Sequence, residues 1–521
     1  MRNSALRKGL RNGSAVLMLG ALVGVCTLAM AADNKKSAPA PAPAPSRQAP
    51  AAAARPAAPA ARPAGNPGGG TTYRPNTGGQ PGYRPAPSGP SANRPTTSAP
   101  VVNRPTTSAP GVHGPAAGIT SPSRGASSTF HSAAPKGSTE RVTPTGSAVR
   151  TRPNGKVSDV HDARTGTDVH HGLNGNSRVS VERADHSRVV SERGRPGYVQ
   201  RQFSHGGHDF ARRSYFYHGR AYDRFYRGYG FRGAYLNVYA PGFYYGPGFY
   251  GWAYNPWGMS IGYGWGWGGS PWFGYYGGYF SPYATYPSAA YWLTDYMIGN
   301  DLQAAYAAHQ DAGEADGAPG APGGPAELTP DVKQQIADEV RNQLALENQE
   351  AQQNAQQHDI DAGSSGIARM LGDGRPHVFV AGGALDLVDA NGQECGISDG
   401  DVLGLQGPSA PDATAASLVV LASKGGQECL KGATVSVQLA DLQEMQNHMR
   451  ETIDQGLQDL RAKQGTGGLP AAPPSAQAPT TSAGFAAIAP PPDPNAATEI
   501  QQAGQQGGQA EQTVTAEAPA Q

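Results

Sequence analysis

Apolar positions alternate with polar ones, two residues to a repeat, through much of residues 139–240. Val157 and Val160, Val179 and Val181, and Val189 stand in short runs separated by Asn154-Gly155, Thr165-Gly166 and Asn174-Gly175. Alternation bounded by Asn-Gly or Thr-Gly predicts a meander of β-hairpins. The alternating residues are small, chiefly valine, so one such sheet buries little by itself. The reading predicts that it leans on the aromatic stretch that follows or stays partly open. Tyr215, Tyr217, Tyr222, Phe225, Tyr226, Tyr229 and Phe231 extend the alternation, with rings placed to stack across strands and arginines to lie on their faces.

The period changes to that of a helix at residues 327–357. Thr329 reads as the N-cap, Pro330 as the first helical residue and Asp331 as a favourable first-turn charge, followed by Val332, Ile336, Val340 and Leu344 at steps of four. A stripe one residue wide can pair with another helix but carries no sustained heptad of a coiled coil. Residues 376–464 predict a small α+β or β-barrel domain. Strand-like runs occupy 377–380, 385–388, 401–405, 418–422 and 434–439. Asp441 with Glu444 predicts a capping box, and Leu442, Met445, Met449, Ile453, Leu457 and Leu460 line one face of the helix after it. The expected fold class is thus a largely disordered chain carrying a β-rich hairpin meander at about 139–240 and this small C-terminal domain with flanking helices. Residues 139–310 form the hairpin and Gly/aromatic-rich region, 311–326 a linker and 465–521 a disordered Ala/Pro/Gln-rich tail.

Between the two patterns lies an aromatic stretch. Residues 215–296 hold 19 of the 23 tyrosines and all six tryptophans. From Pro241 glycine and proline become too frequent for regular strands. Residues 288–309 then turn helical, with Gly299-Asn300 as an expected break. Tyrosine and tryptophan favour places with one dry and one wet side. Tyr244, Tyr245, Trp252, Trp257, Trp265, Trp267 and Trp272 are therefore candidate surface-contact residues, with internal packing as the competing role.

Composition adds setting rather than chemistry. Arg2, Arg7, Lys8 and Arg11, an apolar run over 15–28, and Ala29-Met30-Ala31 read as a secretory signal peptide at 1–31. The expected location is the periplasm, the outer-membrane surface or the extracellular space. Residues 32–138 are a Pro/Ala-rich spacer in which Arg-Pro recurs every ten residues, at Arg74, Arg84, Arg94 and Arg104, and the octamer NRPTTSAP occurs twice. Proline at this density favours extended polyproline II, about 3.1 Å per residue. Two cysteines follow the leader, Cys395 and Cys429, each closing a Gly-Gln-Glu-Cys motif. In an oxidising compartment they read as one disulfide. A net charge of +1 conceals an asymmetry: residues 139–232 carry 17 Lys/Arg and 9 acids, residues 300–521 carry 9 Lys/Arg and 29 acids. A basic half suits anionic partners, and an acidic half aids solubility.

Candidate chemistry is sparse. His205 and His208, or His170 and His171, offer weak metal-ligand spacing, and imidazoles on a polar sheet face explain them as well. Neither a Gly-x-Ser-x-Gly nor a His-Glu-x-x-His motif occurs, so the expectation is no catalytic residue, no metal and no cofactor. Tyr263-Gly264-Trp265-Gly266-Trp267 resembles a group of exported bacterial proteins rich in Gly, Tyr and Trp that carry a Tyr-x-Trp-Gly-x-Trp repeat. Gly268 departs from that pattern and no repeat follows. The resemblance implies a cell-envelope setting and no particular activity. Two functions fit. One is a non-enzymatic structural or adhesive envelope protein touching anionic or carbohydrate polymer, with peripheral membrane contact. The other is a periplasmic binding module whose C-terminal domain grips a peptide or another envelope protein. Export argues against nucleic acid as partner.

Overall fold

The computed structural model describes residue 130 and residues 132–311, 326–407, 409–425 and 428–518. The leader at 1–31, nearly all of the 32–138 spacer and the linker at 312–325 lie outside the described residues.

Ten strands run as an antiparallel meander, each paired with the one before it: β1 (Thr139–Val142), β2 (Ala148–Thr151), β3 (Val157–Asp162), β4 (Thr167–His171), β5 (Ser177–Glu182), β6 (Arg188–Glu192), β7 (Gly197–His205), β8 (His208–Tyr217), β9 (Arg220–Phe231) and β10 (Ala234–Ala240). Four turns share one geometry. In Arg152-Pro153-Asn154-Gly155-Lys156, the Gly155 N–H donates to Arg152 O (2.9 Å) and the Arg152 N–H to Lys156 O (2.8 Å). This is a type I turn closed by a left-handed residue, here glycine at φ +82°. The same pair of bonds recurs at Gly146, Gly175 and His186, and His186 takes φ +60° without glycine's freedom.

Register separates the sheet's two faces. Val149, Val160, Val169 and Val179 are successive cross-strand partners, and Val181, Val189 and Val199 continue the apolar face. On the opposite face Glu140, Arg150, Asp159, His170, Arg178 and Glu192 form one cross-strand row.

The valine face is covered by the tail, not by the aromatic stretch. After the single-turn segments at Pro474–Gln477 and Gly484–Ala487, residues Ala496–Glu517 form a helix where sequence predicted disorder. Its buried positions Ala496, Ala503, Gly507, Ala510 and Val514, with half-buried Ile500, are spaced by threes and fours. Small residues let the helix approach closely: a Cβ on Gly507 would come within 2.4 Å of Val179 Cγ2. Ion pairs flank the seam, Arg183–Glu499 (2.6 Å), Arg201–Asp493 (2.8 Å) and Arg164–Glu517 (2.8 Å), and the His171 ring meets Glu511 at 3.1 Å.

The aromatic stretch pairs Phe243–Tyr244 (β11) with the late strand Thr481–Ser482 and contains two short helices, α1 (Pro247–Tyr254) and α2 (Pro271–Tyr275). These pack against α3 (Ala289–Asp311) and α4 (Pro330–Ala355) in the largest apolar cluster. The Thr329 hydroxyl accepts from the Val332 N–H, so the expected N-cap forms. Helix α3 continues through Gly299-Asn300, against the expected break. Gly299 is needed for close approach, since a Cβ there would lie 2.6 Å from the Trp267 ring.

Next come a short helix α5 (Ile367–Met370) and the C-terminal sheet: β12 (Val378–Val380), β13 (Leu385–Asp389), β14 (Glu394–Ile397), β15 (Val402–Leu405), β16 (Ala415–Ala422) and β17 (Thr434–Gln438), in the order β12-β15-β16-β17-β13-β14. The five expected runs are strands, and β14, which carries Cys395, is a sixth. Cys395 and Cys429, 34 positions apart in sequence, are disulfide-bonded with Cα atoms 4.8 Å apart. Helix α6 (Leu439–Lys463) follows, and the tail helix is α7. Gln438, not Asp441, is the N-cap of α6. The expected capping box does not form, because the helix starts three residues earlier and places Asp441 inside its first turn, while the Glu444 carboxylate pairs with Arg213. No described helix is long and apolar enough to cross a membrane.

The β13–β14 hairpin docks on the polar face of the meander. Arg152 Nη2 and Nε donate to Asp386 (2.7 Å) and Glu394 (2.8 Å), and His170 lies between Asp159 (2.8 Å) and Asp386 (3.3 Å). Burial opposes a charge on His170, but the two carboxylates outweigh it and raise the imidazole to about 9. A folded-state value above the unfolded value of about 6.5 stabilises fully below that pH and is lost as pH rises through about 9. Stability from urea unfolding should therefore fall between pH 6 and pH 9.5, and the His170→Gln chain should show a flatter dependence. Equal slopes for the two chains would remove this contact from the account.

Candidate functional site

The polar face of the meander and α6 enclose a cleft of about 360 Å³. Its floor is a ladder of tyrosines on neighbouring strands: Tyr198 pairs in register with Tyr215, and Tyr215 with Tyr222. Their ring centroids lie 5.1 Å and 4.9 Å apart, the second pair stacked within 5° of parallel. Arg213 crosses the floor with its guanidinium 4.7 Å from the Tyr198 ring and 4.0 Å from Tyr226. It reaches the roof in a two-pronged bond to Glu444 (2.8 and 2.6 Å). Such a planar, doubly bonded pair fixes the floor relative to the roof.

The roof is the polar stripe of α6, where Asp441, Glu444, His448, Glu451 and Gln455 recur at helical spacing beside the apolar face that packs inward. Helix α3 supplies one end through Asn300 and Asp301, and the other wall is Gly382, Gly383 and Asp399 of the C-terminal sheet domain. His448 Nε2 meets Asp301 Oδ1 at 2.7 Å. Its ring fits because residue 382 has no side chain: a Cβ there would fall 2.0 Å from the imidazole. Burial lowers His448, but Asp301 more than offsets it, and the imidazole is held above its ordinary value. Among the described residues the second oxygen of Asp301 has no hydrogen-bond partner, although the side chain is only 2% exposed. Arg195 pairs with Asp399 and with Glu192 (3.2 Å) and donates to Gly382 O (3.1 Å). Glu451 accepts from the Tyr226 hydroxyl, and burial raises its carboxyl, partly offset by Arg224. Tyr222 is raised to about 12, first by burial and then by the Glu451 charge. The walls thus offer aromatic faces and carboxylates, a chemistry suited to cations and polar chains.

The seven residues proposed for surface contact lie elsewhere. Tyr244, Tyr245, Trp257 and Trp272 are buried, and Trp252, Trp265 and Trp267 are half-buried against the same core. The reason is mutual packing: Trp265 stacks on Trp267 (4.4 Å) and on Trp292 (5.0 Å), and Trp252 on Trp257 (5.9 Å). His170 and His171 are paired with carboxylates, and His205 lies edge-on to Phe210 (6.4 Å). Sequence reasoning named none of the cleft as a site. It is assembled from residues 178–222, 300–304, 382–399 and 441–455, and only the alternating tyrosines and the polar stripe of α6 gave a local signal. Comparison with family models, with curated proteins and with solved structures finds no match to this chain.

Proposed function

We propose that this protein is an exported, non-enzymatic binding module that grips a short stretch of a peptide partner in the cleft between the meander and α6. The observation that carries this reading is the tyrosine ladder facing a carboxylate-bearing helix across about 360 Å³ of space. That volume is at the lower end of ligand sites, about 300–1,000 Å³, and suits a few residues of extended chain. The leader-like N-terminus and the Cys395–Cys429 bond support an oxidising location. Contact with an envelope polymer is the weaker reading for two reasons. The rings that would present flat faces are packed on one another. Many of the meander arginines pair with acids of the C-terminal half, among them Arg152, Arg195, Arg201 and Arg213.

Calorimetric titration of the full chain tests this with short basic peptides in one arm and soluble cell-wall oligosaccharides in the other. Basic peptides should bind, and Tyr222→Ala or Glu451→Gln should weaken them by about tenfold or more, as expected for a buried aromatic or charged anchor. Oligosaccharide binding without peptide binding would reverse the assignment.

A further inference from the structure

We propose that the Lys424 amine and the Asp401 carboxyl condense in the folded protein to an amide cross-link beside β15 and β16, with Glu428 as the proton carrier. None of the three residues lines the cleft, and the inference does not rest on the peptide-binding reading.

The fold brings the three together. Asp401 stands just before β15 and Lys424 two residues past β16, and the register Val402 to Ala422 sets those strand ends side by side. Lys424 Nζ lies 2.5 Å from Asp401 Oδ1 and 3.3 Å from Glu428 Oε1. Asp401 is fully buried and Lys424 nearly so, with the Tyr279 ring centroid 5.7 Å from the amine. The carboxyl is fixed, since Asp401 Oδ2 accepts the Ser398 N–H (2.8 Å) and Oδ1 the Lys424 N–H (3.2 Å). Glu428 is held as well. The Ser398 and Ser423 hydroxyls donate to it (2.6 and 3.2 Å), and its neighbour Cys429 is bonded to Cys395. A nucleophile, an electrophile and an acid–base group thus meet at fixed geometry in a buried site.

A buried Lys–Asp pair is ordinarily only a salt bridge, and the chain has one for comparison. Lys333 meets Asp295 at 2.7 Å against the Phe280 and Tyr283 rings, and among the described residues no second carboxylate pairs with its amine. The third group, not the pair, singles out Lys424.

The condensation releases one water and needs no other reactant. A proton passes from the ammonium to Asp401 Oδ1 along the short bond. The amine lone pair attacks Cγ, and the carbonyl electron pair moves onto Oδ2, where the Ser398 N–H faces it. Glu428 takes a second proton from the nitrogen. The carbonyl re-forms, the Cγ–Oδ1 bond breaks, and the departing hydroxide leaves as water with the proton from Glu428. The free amine is the minor form, because the two carboxylates sustain the ammonium against burial. Its proton has a prepared destination: burial first, and then the Glu428 charge, raises the Asp401 carboxyl to about 7.

Mass spectrometry of the full chain, reduced and digested with trypsin, tests this. Between Arg369 and Lys431 trypsin can cut only after Lys424, because Arg375 precedes a proline. The cross-linked chain should give one uncut peptide, 370–431, lighter than its sequence by one water, with fragment ions placing the bond between Asp401 and Lys424. Glu428→Gln keeps both partners and should react about a hundredfold more slowly, the usual worth of such a group. It should be recovered cut after Lys424 and at full mass, with the circular dichroism of the parent. The parent spectrum alone decides whether the bond exists, whether or not that variant folds. A folded parent cut after Lys424 and at full mass would overturn the proposal and leave a salt bridge. So would a lost water traced to a cyclic imide at Asp399-Gly400 or to Lys333 and Asp295, or a cross-link formed as readily in Glu428→Gln.

Discussion

A chain ending before Asp493 is expected to lose the cooperative fold of its meander. The sheet is one layer thick, and Val149, Val160, Val169, Val179, Val189 and Val199 are buried largely because α7 lies over them. Fully burying a valine stabilises by roughly 1.5 kcal/mol or more. Uncovering six of them therefore removes on the order of 5–10 kcal/mol, comparable to the whole stability of an ordinary domain. Arg183, Arg201 and Arg164 lose their partners on α7 as well, though exposed pairs of this kind add little. Urea unfolding followed by circular dichroism should show an early loss of β signal, and limited proteolysis should cut first within residues 139–200. An unchanged unfolding midpoint would show that the sheet stands alone. A milder probe is Gly507→Leu, whose Cβ enters the space of Val179. Overpacking there should cost about 1–3 kcal/mol.

Much of the fold is legible in the residues, and the failures share a cause. Valine alternation and the Asn-Gly turns give the meander, and Thr329 and the apolar stripe of α6 give two helices. The paired Gly-Gln-Glu-Cys motifs give the disulfide. The tail's sequence suggests disorder because its buried face consists of Ala496, Ala503, Gly507 and Ala510, residues whose burial leaves almost no mark on hydropathy. Their spacing by threes and fours was present in the sequence, but it has value only opposite a sheet of equally small side chains. The charge asymmetry and the aromatic density both suggest, from sequence, surfaces for outside partners. In the fold each is largely satisfied internally, arginine against carboxylate and ring against ring. Long-range pairing of this kind has no local period. That is also why the cleft, drawn from four distant segments, left only faint traces.

Arg450→Met is expected to destabilise the protein by about 3–5 kcal/mol, the range for breaking a buried ion pair from one side. Arg450 on α6 is fully buried. It donates to Glu350 on α4 (2.9 Å) and to the carbonyl of Tyr239 on β10 (3.0 Å), so one side chain ties three elements together. Methionine matches the length of the stem but leaves the buried Glu350 carboxylate without its guanidinium, with only the Ser365 and Tyr244 hydroxyls bonded to it and Arg227 as the remaining cation. Glu347, one turn away, does not share that liability. Burial raises its carboxyl well above the ordinary range, against the pull of Arg450, and so favours its neutral form. For Glu350 burial pushes the other way from Arg450 and Arg227, and the two arginines prevail, holding it below its ordinary value. A depressed folded-state value stabilises above the unfolded value of about 4.3 and is lost as pH falls through the folded one. The deficit of Arg450→Met should accordingly be largest near pH 7 and shrink toward pH 3.5. Arg450→Met with Glu350→Gln should regain much of the loss at pH 7, since the stranded charge is gone. Urea midpoints of the three chains at both pH values decide the matter. If Arg450→Met unfolds within about 1 kcal/mol of the parent at pH 7, the pair does not hold α4 to α6, and the apolar cluster around Leu344, Met449 and Ile453 holds them without it.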